Sequence, residues 1–142
     1  MYRGQHQTMR QAFSDICQGE RPWTALGNFM NEWYAYAKDR REALVADPLP
    51  AYDEHSLDQR RWAVFCAAAV EWFCARYQVP CPSWVHDPHY TLTEPWFFHT
   101  KEKVKARLRT TTPDEFQRRN IFCGDRCFLN KWEWAENLQL QL

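Results

Sequence analysis

The segment Trp62-Ala-Val-Phe-Cys-Ala-Ala-Ala-Val-Glu-Trp-Phe-Cys74 constrains this chain more than any other part of it. Glu71 is its one charge. A helix that is apolar nearly all round leaves no face for water and belongs at the centre of a bundle. Ser56-Leu-Asp-Gln59 supplies the start signal. In such a capping box the hydroxyl and the amide each satisfy a free backbone donor. The spacing predicts a helix over 57–77. It is too short to span a bilayer, and Glu71 interrupts it.

Earlier in the chain, Met9, Ala12, Phe13, Ile16 and Cys17 recur at helical spacing, with Gly19 as a stop. This predicts a helix over 7–18, with a turn at Pro22. Thr24 is placed to cap a second helix running to Ala46, where Asp47-Pro48 forbids easy continuation. Leu26, Phe29, Met30, Trp33, Ala37 and Leu44 form its inner stripe. Glu32, Lys38, Asp39, Arg41 and Glu42 form a solvated outer face.

Residues 79–98 hold four prolines and no helical period, yet are rich in rings. They read as an extended belt over the helices, with Trp84, Tyr90, Trp96 and Phe97 as plugs. Pro88 and Pro95 exclude the belt from a central strand. Residues 101–109 predict a short basic helix. Thr112-Pro-Asp-Glu115 predicts another capped one, with proline at the first position and acids at the positive end. Asn120 is a left-handed stop, residues 121–123 a small strand, and Asp125 the cap of a last helix through 136. Phe128, Leu129 and Trp132 would face inward there, Trp132 and Trp134 point to different faces, and the alternating tail 138–142 would fray.

The expected architecture is one all-α domain, a helical bundle with the belt packed over it. Residues 1–22 form its first helix and turn, 23–79 two long helices, 80–100 the belt and 101–142 short helices. The 142 residues suit one domain able to bury an ordinary core. Aromatics dominate: 8 Trp, 9 Phe and 6 Tyr. Each buried ring removes about 150–250 Å² from water, and rings also carry interface energy. A mean hydropathy of −0.70 excludes an integral membrane protein. The formal charge is zero, without the basic excess usual in nucleic-acid binders. Residues 1–7 show no apolar signal core, so the six cysteines are expected reduced and the chain cytoplasmic.

Several function classes compete for these residues. Cys123 and Cys127 are loosely spaced for zinc, with Cys81, His86, His89 or His99 as completing ligands; simple packing beside Phe122 and Phe128 is the stronger reading. Cys81 with His86 is the nearest thiol–imidazole pair, and Asp53-Glu54 reads as solvated loop acids. No nucleophile elbow, phosphate loop or zincin helix is present. No catalytic residue or cofactor is therefore expected, and a small thiol- or metal-dependent enzyme ranks last. Lys101, Lys103, Lys105, Arg107 and Arg109 form a basic run that would suit nucleic acid, the second reading. A protein-binding surface built from the surplus tryptophans ranks first, and a neutral chain also suits self-association.

The string Thr112-Pro-Asp-Glu-Phe-Gln-Arg-Arg-Asn-Ile-Phe resembles the C-terminal segment of bacterial proteins associated with toxin–antitoxin loci or appended to helix-turn-helix regulators. Pro82-Ser-Trp-Val-His-Asp-Pro and Glu94-Pro-Trp-Phe are similar to the same group, so the resemblance spans residues 80–129. The chain departs from the regulators in lacking a DNA-reading helix pair. The resemblance implies a cytoplasmic, antitoxin-like module holding a partner protein, such as a cognate toxin, by occlusion. Arg118, Arg119 and Asn120 carry that implication, with Trp84, His86, Asp87 and Trp96 as further partner-binding positions.

Overall fold

A computed structural model describes residues 7–130 and Glu133. The described residues are mostly helical, with one two-stranded parallel pairing. The helices are α1 (Met9–Cys17), α2 (Pro22–Asn31), α3 (Arg41–Val45), α4 (Leu57–Tyr77), α5 (Glu102–Thr111) and α6 (Asp114–Gln117). The strands are β1 (Trp96–Phe97) and β2 (Ile121–Phe122).

Helix α4 is the spine. Ser56 Oγ accepts from Gln59 N at 3.2 Å, and Gln78, at φ 58°, ends the helix in the left-handed region. The reciprocal half of the expected capping box goes elsewhere: Gln59 Oε1 accepts from Asp53 N at 3.0 Å, tying the preceding loop to the helix start. Every residue from Trp62 to Val70 is buried, as are Phe73 and Cys74. Helices α1 and α2 cover one side and α6 with the belt covers another. Helix α1 is capped by Thr8, whose hydroxyl accepts from Gln11 N at 3.1 Å. It buries Met9, Ala12, Phe13 and Ile16, and Gly19 leaves it at φ 106°.

The second helix departs from expectation. Pro22 is its first helical residue rather than a turn before it, Arg21 holds the cap position, and Thr24 is exposed inside the first turn. The helix also breaks: a π-turn spans Glu32–Tyr36, a 3₁₀ turn spans Lys38–Arg40, and α3 follows. The wider turn sets two adjacent rings, Trp33 and Tyr34, inward together. It also frees the Trp33 carbonyl, which accepts from Arg41 Nε at 2.8 Å. Arg41 is thereby drawn off the outer face and lies over the Trp33 and Tyr77 rings. Glu32, expected in solvent, is 4% exposed.

The belt is ordered and packed on the helices as expected, but a 3₁₀ turn at Ser83–His86 interrupts its extended run, and its plugs differ. Trp84 Nε1 donates to Val45 O at 3.0 Å, and Val85, Tyr90 and Leu92 are buried. Leu92 N donates to Arg119 O, Trp96 N to Asn120 O and Phe98 N to Phe122 O. These bonds run β1 parallel to β2, with Trp96 opposite Ile121 and Phe97 opposite Phe122. Side chains alternate across a strand, so Trp96 meets the core while Phe97 turns outward onto Phe122. Parallel strands need a crossover, and α5 with α6 provides it.

Helix α5 has no fully buried residue; Val104 and Leu108 half-bury beneath it. Gly124, at φ 84°, is required there, because a Cβ would stand 3.1 Å from Leu108 Cδ2. Asn120 is left-handed as expected, at φ 67°. Thr112 does not cap α6; Pro113 occupies that position. The buried Thr112 hydroxyl instead accepts from Gly124 N at 2.8 Å, joining the start of α6 to the chain leaving β2. Thr112→Val keeps the shape and orphans that buried donor. Its expected cost is about 1–3 kcal/mol in a urea melt, with Thr112→Ser close to wild type.

The expected last helix does not begin at Asp125. Residues 125–129 hold a bend at Asp125 and a turn at Cys127–Phe128 but no helix, and Asn130 Oδ1 accepts from Glu133 N at 2.8 Å. Phe128 packs inward, but Leu129 is 72% exposed. Trp132, Trp134 and the 138–142 tail lie outside the described residues.

Candidate functional site

The Arg118-Arg119-Asn120 turn at the end of α6 is an internal latch. Arg119 is 4% exposed. Its Nη1 donates to Glu71 Oε1 at 2.6 Å and to Glu115 O at 2.7 Å, and its Nη2 donates to Val85 O at 2.8 Å. It therefore ties α4, α6 and the belt together. Asn120 Nδ2 donates to Leu92 O at 2.7 Å. Arg119, expected to meet a partner, is spent inside the fold, and the half-buried Asn120 is engaged with the belt. The charge that interrupted the apolar run is the reason: a carboxylate on the spine requires a buried cation. Burial pushes the Glu71 pKa up, but hydrogen bonds from Arg119 and Arg118 outweigh it and hold the carboxyl below its usual range.

Three of the expected positions do reach solvent around this latch. Arg118 is half exposed and bridges Asp114 at 2.8 Å and Glu71 at 3.1 Å. His86 Nδ1 stands 4.0 Å from Glu71 Oε2. Asp87 Oδ1 accepts from His89 N at 2.9 Å, which shapes a turn. Trp84 is half-buried against Val45.

The aromatic surplus gathers elsewhere. Trp23 is 44% exposed, yet its ring stands edge-on to Trp62 at 5.9 Å and to Phe65 at 5.7 Å. Trp96 meets Trp62 at 5.1 Å and Phe98 at 4.7 Å. Arg61 lies 5.4 Å over the Trp96 ring, and exposed Leu57 sits one turn earlier on α4. The result is a strip of rings crossing from the start of α2, over α4, to β1. Its rigid backing comes from Phe65, which is fully buried. Sequence reasoning pointed to a surplus of tryptophans without singling out Trp23, and it missed Arg61 and Leu57. Proline at position 22, which fixes Trp23 on the first turn, was the available signal.

The basic run divides between two sides of α5. Lys101, Lys105 and Arg109 follow at i, i+4 and i+8, and Lys103 with Arg107 form a second row. Lys105 Nζ stands 5.2 Å and Arg109 Cζ 4.7 Å from the centre of the Phe97 ring. Phe97 and Phe122 stack at 4.7 Å with 16° between planes. Lys105 also pairs with Glu102 at 3.7 Å.

The thiols and imidazoles disperse. Cys127 Sγ donates to Cys123 O at 3.5 Å, and the Cys123 thiol is pushed up by the neighbouring Cys127 and by burial. Cys81 neighbours Cys74, and burial raises its thiol pKa too. His86 faces Glu71. His89 Nε2 lies 2.6 Å from Tyr52 Oη and 3.4 Å from Glu54. His99 Nδ1 accepts from Lys101 N at 3.1 Å. Among the described residues no three of His, Cys, Asp or Glu group as metal ligands, and Cys81 and His86 are each engaged with another group. Nor is any described helix long and apolar enough to cross a membrane. Comparison of the chain with protein-family models, curated proteins and solved structures finds no match to any of them.

Proposed function

We propose that this protein is a non-enzymatic binding module that docks a partner protein through the Trp23–Trp62–Trp96 strip and acts by occlusion. The antitoxin-like role that the resemblance implies is one form of that action. A single observation carries the reading: Trp23 is 44% exposed while its ring rests on buried Trp62 and Phe65. A large ring held rigidly at the surface loses little freedom on docking, and Trp with Arg is the pairing that concentrates interface energy. Arg61, held over Trp96, would pair with a partner carboxylate. Arg118, His86 and Asp87 supply polar contacts on the latch side but no apolar anchor. Within the fold the resemblance strings serve architecture, through Arg119 and Asn120, so docking is assigned to the tryptophans.

The test is co-expression with the product of the adjacent gene, with complex formation followed by size-exclusion chromatography and titration. Trp23→Ala is expected to weaken a complex by about 30-fold or more, the effect of a hot-spot residue of about 2 kcal/mol. The variant should lose about 2–3 kcal/mol of stability, since more than half of a large ring is buried against Trp62 and Phe65, so affinity is compared where both proteins are fully folded. An affinity untouched by Trp23→Ala and Trp96→Ala would contradict the assignment.

A further inference from the structure

Helix α5 and the Phe97–Phe122 stack form a surface that the tryptophan strip does not use. Residues 101–109 carry five cations and one acid, a net +4 in a chain whose formal charge is zero. The rest of the molecule carries the balancing −4, so the charge is segregated onto one short element. Such a patch focuses a field that the neutral total conceals.

The arrangement has a second component. Lys101, Lys105 and Arg109 lie in a row at intervals of about 6 Å along α5, and Lys103 with Arg107 form a row on its other flank. The first row borders the stacked rings, with Lys105 and Arg109 over Phe97 and Phe122 on its other side. Phenylalanine, phenylalanine and guanidinium thus form a column at the edge of a cationic track.

We propose that this surface binds single-stranded nucleic acid, with the two rows on successive phosphates and an unpaired base stacking on the Arg109–Phe97–Phe122 column. Phosphate tracking beside a stacking platform is how sequence-tolerant single-strand sites work, and a guanidinium plane accepts a base as a ring does. A duplex keeps its bases stacked on one another and gains nothing from the column. A membrane is the poorer occupant: the outermost positions of α5 are Glu102, Ala106 and Thr110, with no large apolar residue to insert. Trp96 and Phe97 point to opposite sides of β1, so this site is independent of the docking strip.

The test is fluorescence anisotropy of labelled oligothymidylate and oligouridylate with the full chain, beside a duplex, phosphatidylserine vesicles and polyglutamate. The expected log–log salt slope is roughly −3, a fall of about sixty-fold between about 50 and 200 mM salt. Lys105→Glu with Arg109→Glu should lose at least about tenfold in affinity, and Phe122→Leu about tenfold through the stack. Should Phe122→Leu fail to fold, Lys103→Glu with Arg107→Glu, on the exposed flank, decides the question by the same measurement. Trp23→Ala should bind oligonucleotide like wild type, separating this site from the proposed docking function. Absence of binding at low salt, equal binding by the Lys105→Glu/Arg109→Glu variant, or equal affinity for duplex or polyglutamate would overturn the proposal. So would adsorption to vesicles alone.

Discussion

Arg119→Met is expected to destabilise the protein by about 3–5 kcal/mol, the range for breaking a buried ion pair by removing one partner. Arg119 is almost fully enclosed and makes three short hydrogen bonds, two of them to carbonyls of Glu115 and Val85. Methionine fills the volume and meets none of them. The spine carboxylate would keep Arg118 at 3.1 Å and His86 at 4.0 Å, both about half exposed, and such exposed contacts contribute about 0–1 kcal/mol. A domain of this size is stable by about 5–15 kcal/mol, so the loss is a large share of the total. Chemical denaturation of the variant beside wild type measures it.

The same latch sets an acid dependence. The Glu71 carboxyl titrates lower in the folded protein than in the unfolded chain. Its contribution is therefore fully present above the ordinary glutamate pKa of about 4.3 and is lost as pH falls through the depressed folded value. Wild type should lose stability on that descent. Glu71→Gln, weaker at neutral pH, should show a shallower loss over the same window.

Phe65→Ala should cost about 4–5 kcal/mol, at the upper end for a buried phenylalanine. Six rings surround Phe65: Trp23, Trp62, Trp96, Phe98, Phe116 and Phe128, with centroids between 5.1 and 6.4 Å. These rings come from α2, α4, β1 with its following residue, α6 and the chain beyond β2. They are anchored in separate elements and cannot close over the void together. The melting temperature should fall by roughly 10–15 °C. Phe65→Leu, which leaves a smaller cavity, should lose less. Because Phe65 backs Trp23, Phe65→Ala should also loosen the strip proposed for docking, seen as a red-shifted and more quenchable tryptophan emission.

Local signals proved legible. Ser56 and the apolar run place α4 almost to the residue, and Gly19 and Asn120 stop their segments as expected. Each of these depends on neighbours within a few positions. The features that escaped depend on distant partners. The break after Asn31 leaves the helical stripe intact on paper, because Leu26, Phe29, Trp33 and Ala37 still face inward; only the Arg41–Trp33 bond and the paired rings reveal the extra width. Thr112-Pro-Asp-Glu has every mark of a cap, but the threonine is claimed by Gly124 from beyond β2. Two-residue strands carry too little pattern to declare their pairing. Arg119 looks like half of a basic surface pair, and its true partner lies 48 residues away. The sequence displayed the surplus of tryptophan, while the selection of Trp23 as the exposed one among the described tryptophans required the packing around Trp62.

On the proposed function labour is divided in this molecule, with the arginine latch holding the fold and the tryptophan strip offered to the partner. Titrating the adjacent-gene product against Trp23→Ala, at a temperature where the variant is fully folded, tests that division most directly. The expected result is about a 30-fold or greater loss of affinity in a variant that is still folded. Wild-type affinity in Trp23→Ala would contradict it.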